Sequence, residues 1–133
     1  MINKDIIRLA SNTSNVGLKN KYSHKISLKN STCGDKITLE LIADKKKISS
    51  MKYETISCVY CEASASLLSR KIKNVKLKDI KNDLITLKKI SFKKNIKIPK
   101  RLSDFKKLLN SDNFNRFKCI FLPIDAVLKA LKL

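Results

Sequence analysis

Three cysteines stand in three separate contexts that could bear chemistry. Cys33 lies in Asn30-Ser31-Thr32-Cys33-Gly34-Asp35, Cys58 in Ser57-Cys58-Val59-Tyr60-Cys61-Glu62, and Cys119 in Arg116-Phe117-Lys118-Cys119. Each falls where an ordered element should begin or end. Thiols at such places can be exposed and can converge on one soft metal. Gly34 permits tight backbone geometry between Cys33 and Asp35, so a thiolate and a carboxylate can face one cation. Cys33, Asp35, Cys58 and Cys119 together offer three sulfurs and one oxygen, which suits the tetrahedral preference of zinc. Thiolates equally select iron–sulfur clusters.

Each residue also has a plainer reading. Asp35 could make only a local turn hydrogen bond. Cys58 and Cys61 form a C-x-x-C pair, a spacing used for zinc or thiol exchange. No second C-x-x-C follows, and the strands read as a meander rather than a thioredoxin-like βαβ unit. Cys58 precedes a helix, whose N-terminus stabilises a thiolate. Cys61 would be a relay thiol, a spare ligand or core filler, and core filler is favoured. Cys119 has Lys118 beside it to stabilise a thiolate, or is one more buried core cysteine. His24, beside Ser23 and Lys25, reads as a surface residue. An enzyme with a cysteine nucleophile would therefore lack a base.

The elements that must position these residues follow from periodicity. Residues 4–10 suit a short helix, and 11–24 a loop containing Gly17. Alternation predicts strands over 25–29, 36–42 and 48–56, with Ile37, Leu39 and Leu41 on one face. Helical spacing predicts a helix over 62–73. A second covers 75–90 with Leu77, Ile80, Leu84, Leu87 and Ile90 on its apolar face. A basic connection spans 91–99, and a short helix spans 100–110. A last helix covers 122–131 with Pro123 in its first turn. Strands followed by helices predict an α+β fold, a small antiparallel sheet of about three strands with helices packed on one face.

The chain has 133 residues and is 43% hydrophobic, which suits one domain, 1–133. It carries no apolar run of membrane-span length and no signal-peptide pattern, so a cytoplasmic protein without a membrane association is expected. Cytosolic cysteines stay reduced, which favours metal or thiol chemistry over disulfides. The formal net charge of +19 would suit a basic nucleic-acid-binding protein with a structural metal or none. Only four of the 30 basic residues are arginines, however, and the lysines are spread evenly. That composition fits an AT-rich genome better than a phosphate reader. The charge should still steer the protein toward acidic partners.

The three cysteine blocks, in this order, resemble the NifU/IscU/SufU family of iron–sulfur cluster assembly scaffolds. Residues 30–35 are similar to its N-P-x-C-G-D block, with Ser31 in place of proline. Cys58 to Ser66 resembles its G-C-x-x-x-x-A-S-A-S block, with Ser57 in place of glycine and Cys61 as an added thiol. Arg116 to Cys119, with Leu122-Pro123 and Ala126-Val127-Leu128, resembles its third block. The long segment between Cys58 and Cys119, and Lys118 where IscU-type proteins carry histidine, point to the SufU branch. The resemblance implies a SufE/NifU-like α+β fold. It implies that Cys33, Asp35, Cys58 and Cys119 bind zinc or a transient [2Fe–2S] cluster. It also implies that Cys33 accepts persulfide sulfur from a SufS-type cysteine desulfurase, for delivery to apo iron–sulfur proteins or other assembly components. Such a protein is a scaffold or sulfur-transfer accessory rather than a small-molecule enzyme.

Overall fold

Ile37, Leu39 and Leu41 alternate with polar residues, and this alternation builds the centre of an antiparallel sheet. The structure, a computed structural model, describes residues 3–31, 33–91 and 96–132. Strands β1 (His24–Lys29), β2 (Lys36–Ala43) and β3 (Ile48–Ile56) pair in the order β1-β2-β3. Leu39 stands opposite Ile26 and Tyr53, and Leu41 opposite Met51. Period-two alternation puts all of these on one face. Helices cover that face: α2 (Val59–Lys71) and α4 (Phe117–Ala130) pack on the strands, and α1 (Lys4–Ser11) packs on α2. Among the described residues, no helix is long and apolar enough to cross a membrane.

The chain between α1 and β1 straps the opposite face of the sheet. It first pairs with the edge of β3, where the Tyr53 N–H donates to the Asn15 carbonyl and the Gly17 N–H donates to that of Tyr53. It then crosses above Glu40, which is only 1% exposed. Glu40 Oε1 accepts the N–H groups of Lys19 at 2.7 Å and Asn20 at 3.1 Å, and Oε2 faces Lys25 Nζ at 3.5 Å. One carboxylate thus satisfies two loop donors over a strand. Glu40→Ala should strand those donors and destabilise the fold by about 1–3 kcal/mol, as read by urea unfolding; an unchanged midpoint would show that water replaces the carboxylate at no cost.

The helices depart from expectation in instructive ways. Helix α2 begins at Val59 rather than Glu62. Helix α4 begins at Phe117 rather than Leu122, so Pro123 sits inside it rather than in its first turn, and Cys119 is within the helix rather than before it. Phe117, Ile120, Ile124 and Val127 are buried at helical spacing, and that stripe outweighs the hydrogen bond that proline cannot donate to the Cys119 carbonyl. The short helix expected over 100–110 is present as a 3-10 helix. Lys100–Lys107 and Ser111–Arg116 are 3-10 helices. Leu102, Phe105 and Leu108, all fully buried, recur every third residue, the period of a 3-10 turn. Helix α3 (Leu77–Lys88) buries Ile80, Leu84 and Leu87 as its spacing predicts. The basic connection over 91–99 falls partly outside the described residues, at 92–95, as does Thr32 of the first cysteine block.

Candidate metal centre

Three chain segments meet at one end of the sheet. The first is the tip of the β1–β2 hairpin. Its last rung has the Asn30 N–H donating to the Asp35 carbonyl, and the Gly34 N–H donates to the Asn30 carbonyl, both at 2.7 Å. Gly34 turns this tip at φ +78°, and an added Cβ there would meet nothing within 4 Å. Backbone dihedral, not space, therefore demands glycine. The turn leaves Cys33 exposed and brings Asp35 inward, to 6% exposure.

The second segment is the junction between β3 and α2, where Cys58 is the N-cap residue. Its N–H donates to Asp35 Oδ1 at 3.2 Å and its thiol to Oδ2 at 3.4 Å. Asp35 thus caps the helix that its partner cysteine opens. The third segment is the first turn of α4, which carries the buried Cys119 with its sulfur 3.6 Å from that of Cys33. Ligand atoms of Cys33, Asp35 and Cys119 lie within 4.8 Å of one another. Two sulfurs bound to a tetrahedral zinc at about 2.3 Å would stand roughly 3.8 Å apart. The observed separation fits that geometry, and Cys58 joins the cluster through Asp35. The structure therefore gathers all four predicted residues at one place.

Electrostatics move Asp35 and Cys119 in opposite directions. Burial pushes the Asp35 carboxyl up, but hydrogen bonds from the Cys119, Cys33 and Cys58 thiols and the Cys58 N–H outweigh it, and the net shift is downward. Burial, followed by its contacts with Asp35, Cys33 and Cys58, raises Cys119 far above the ordinary thiol range. Without a cation, a neutral Cys119 thiol therefore faces a charged carboxylate. A cation must displace thiol protons, so its affinity should rise with pH.

The small residues after Cys58 have a structural role that periodicity alone misses. Ala63 and Ala65 are fully buried, which lets α2 lie close to its neighbours. The Ser64 hydroxyl donates to the Ile120 carbonyl at 2.6 Å, and that of Ser66 to the Asn12 carbonyl at 2.8 Å. Ser64 therefore ties α2 to the turn that carries Cys119. Ser64→Ala should cost about 1–2 kcal/mol and lower the melting temperature of the metal-free protein; no shift would remove Ser64 from that role. Arg116 stacks over the Tyr60 ring at 5.4 Å and joins the starts of the same two helices. The A-S-A-S run was the available signal for the Ser64 contact, whereas nothing local marked the Arg116–Tyr60 pair.

Cys61 and His24 stand apart. Cys61 is fully buried in the apolar core, and burial pushes its thiol up to about 12. His24 opens β1 with its Nδ1 2.7 Å from the Ser23 hydroxyl, and it is not among the clustered donors.

Residues 1–112 match the family model described as NifU-like N terminal domain. The chain belongs to this family. The NifU-like match ends before Cys119, which only the fold returns to the other cysteines. An iron–sulfur cluster assembly scaffold protein IscU of Thermotoga maritima is 31% identical over 105 residues, covering 78% of this chain and 73% of that protein. Solved structures carry the same fold. A nitrogen-fixing NifU-like protein (N-terminal) from Brucella abortus aligns with a TM-score of 0.88 at 20% identity, covering 98% of this NifU-like chain and 91% of the other. An iron–sulfur cluster assembly scaffold protein for the SUF system from Fervidobacterium islandicum AW-1 aligns with a TM-score of 0.85 at 21% identity, covering 98% and 96%. The α+β fold expected from the sequence, a three-stranded antiparallel sheet with helices on one face, is the fold of these neighbours.

Proposed function

We propose that this NifU-like chain is an iron–sulfur cluster assembly scaffold of the SufU type. Cys33, Asp35, Cys58 and Cys119 hold a soft cation, zinc or the iron of a transient [2Fe–2S] cluster. Cys33 accepts persulfide sulfur from a SufS-type cysteine desulfurase, and apo iron–sulfur proteins or other assembly components receive the product. The observation that carries this reading is the convergence of Cys33, Asp35 and Cys119 within 4.8 Å, with Cys58 hydrogen-bonded to Asp35.

Exposure supports the division of labour. Asp35 and Cys119 are buried and Cys58 partly so, while Cys33 is exposed on its hairpin tip. A partner's persulfide can therefore reach Cys33 first. Clefts of about 350 and 340 Å³ adjoin the tip, lined in part by Lys29 and Lys36 on one side and Lys118 and Lys129 on the other. Three thiolates, a carboxylate and a divalent cation sum to about −2, which these ammonium groups offset. When bound, the cation keeps the thiols deprotonated at neutral pH. Cys33 then attacks the terminal sulfur of the donor persulfide, the donor's S–S bond breaks, and its thiolate leaves. Ile56, 78% exposed beside this end of the sheet, offers a partner an apolar contact. Chemistry that needs free thiols belongs in a reducing compartment such as the cytoplasm.

Elemental analysis of tag-free protein purified without chelator, beside Cys33→Ser, tests the reading. About one zinc per chain, loosened in the variant, is the result expected of zinc-held sulfur transfer. Iron and sulfide in equal amounts after anaerobic purification would assign the same donors to cluster assembly. Neither metal, with no sulfur taken from a desulfurase, would overturn the proposal.

A further inference from the structure

Accepted sulfur arrives at the wrong oxidation level for a cluster. The terminal sulfur of a persulfide is formally zero-valent and sulfide is two electrons richer. A pair of thiols that can close into a disulfide supplies those electrons. The described site uses Cys33, Asp35, Cys58 and Cys119, and leaves one thiol with no task.

That thiol is Cys61, and its place on α2 is particular. Cys58 is the N-cap and Cys61 follows three positions later, in the first turn. The Cys58 side chain makes no capping hydrogen bond; its thiol is turned to Asp35, and rotation about its Cα–Cβ bond is what would bring it to the first turn. Cα atoms three apart on a helix lie about 5 Å from each other, within the roughly 4.4–6.8 Å between Cα atoms that a disulfide spans. Cys61 stands in the first turn of α2, the end of the helix whose N-cap Cys58 is hydrogen-bonded to Asp35. It is also fully buried, which shields it from outside thiols and leaves Cys58 as its accessible partner.

We propose that Cys61 is the resolving thiol that reduces a persulfide on Cys58 and releases sulfide; this rests on the sulfur-accepting reading above. Sulfur first passes from Cys33 to Cys58, which both border Asp35. The Cys58 thiolate attacks the terminal sulfur of the Cys33 persulfide, and the Cys33 thiolate leaves. Cys61 then attacks the inner sulfur of the Cys58 persulfide. The bond to the terminal sulfur breaks, that sulfur departs with the electron pair, and the Cys61 proton completes hydrogen sulfide. Sulfur is reduced by two electrons, the two thiols are oxidised to a Cys58–Cys61 disulfide, and a small-molecule thiol reductant restores them. Intramolecular attack compensates for the high proton affinity of the buried thiol, because its effective concentration is high. Only one donor of the cation site is withdrawn, whereas a Cys33–Cys119 disulfide would withdraw two.

The test uses reduced, metal-free protein persulfidated with inorganic polysulfide, desalted, and followed for sulfide release without added thiol. Wild type should release about one sulfide per loaded chain, with a Cys58–Cys61 disulfide in the mapped digest. Cys61→Ser and Cys61→Ala, each checked for an unchanged melting curve, should retain the persulfide and release about tenfold less. Undiminished release by a folded variant, retention of the sulfur by wild type, or a disulfide mapped to Cys33–Cys119 would overturn the inference. Retention by wild type that still accepts desulfurase sulfur would sink this inference and spare the scaffold function. Release from polysulfide-loaded protein that no desulfurase can load would do the reverse.

Discussion

Cys33→Ser is expected to abolish sulfur acceptance from a cysteine desulfurase while the fold persists. A serine hydroxyl has no accessible anion at neutral pH and forms no persulfide, so labelling of the chain should fall to background, a loss of about a hundredfold or more. Stability of the metal-free protein should change by no more than about 0.5 kcal/mol, because Cys33 is exposed on a hairpin tip whose shape is set by Gly34 and by the Asn30–Asp35 backbone pair. Mass spectrometry of the alkylated chain after incubation with desulfurase and cysteine reads the first effect, and thermal unfolding reads the second. Full acceptance by the variant would move the role to Cys58 or Cys119. Loss of acceptance together with collapse of the fold would show that the tip depends on the thiol itself, contrary to its exposure.

Asp35→Ala should produce the second large effect, through two losses at once. The carboxylate is the one oxygen donor in the cluster, and it also holds the Cys58 N–H and thiol at 3.2 and 3.4 Å. Zinc affinity should drop by about a hundredfold, near the upper end of what even an outer-shell partner is worth. The metal-free protein should lose about 1–3 kcal/mol as the inward-facing N–H of the helix start goes unpaired. Competition against a chromophoric chelator at fixed pH measures the first, and denaturant unfolding the second. Asp35→Asn separates them, since an amide oxygen still accepts the Cys58 N–H but carries no charge. Weakened zinc with near-native stability is expected of it. An alanine variant that binds zinc as tightly as wild type would exclude Asp35 as a donor.

Legibility differed from element to element for physical reasons. The strands were readable because an alternating face must be buried wherever a sheet packs on one side, and Ile37, Leu39 and Leu41 are all fully buried. Helix α3 was readable for the same reason at period 3.6. The segment after Pro99 read as a short helix without its type, although Leu102, Phe105 and Leu108 already carried the period of three of the 3-10 helix it forms. Pro123 misplaced the start of α4, since local preference confines proline to a first turn. Burial of Phe117 and Ile120 against the rest of the core overrode that preference, and so drew Cys119 into the helix. Cys61 read as core filler in or near the first turn of a helix that Cys58 precedes; it is buried, and α2 begins at Val59 with Cys58 as its N-cap.

The sequence by itself determined which donors are available and that they are soft: three thiols and a carboxylate in blocks shared with a known family. It also determined the glycine that turns Cys33 and Asp35 at one tip. Tertiary structure alone decided that these donors meet. Asp35 and Cys58 are 23 residues apart, and Cys33 and Cys119 are 86 apart. Closing segments of that length costs chain entropy that no local motif recovers. The recovery comes from α2 and α4 burying their apolar faces on the sheet, with Ala63, Ala65 and the Ser64 hydrogen bond fixing how closely they lie. The proposed ligand set is therefore spelled locally, but its geometry belongs to the packing of the whole core.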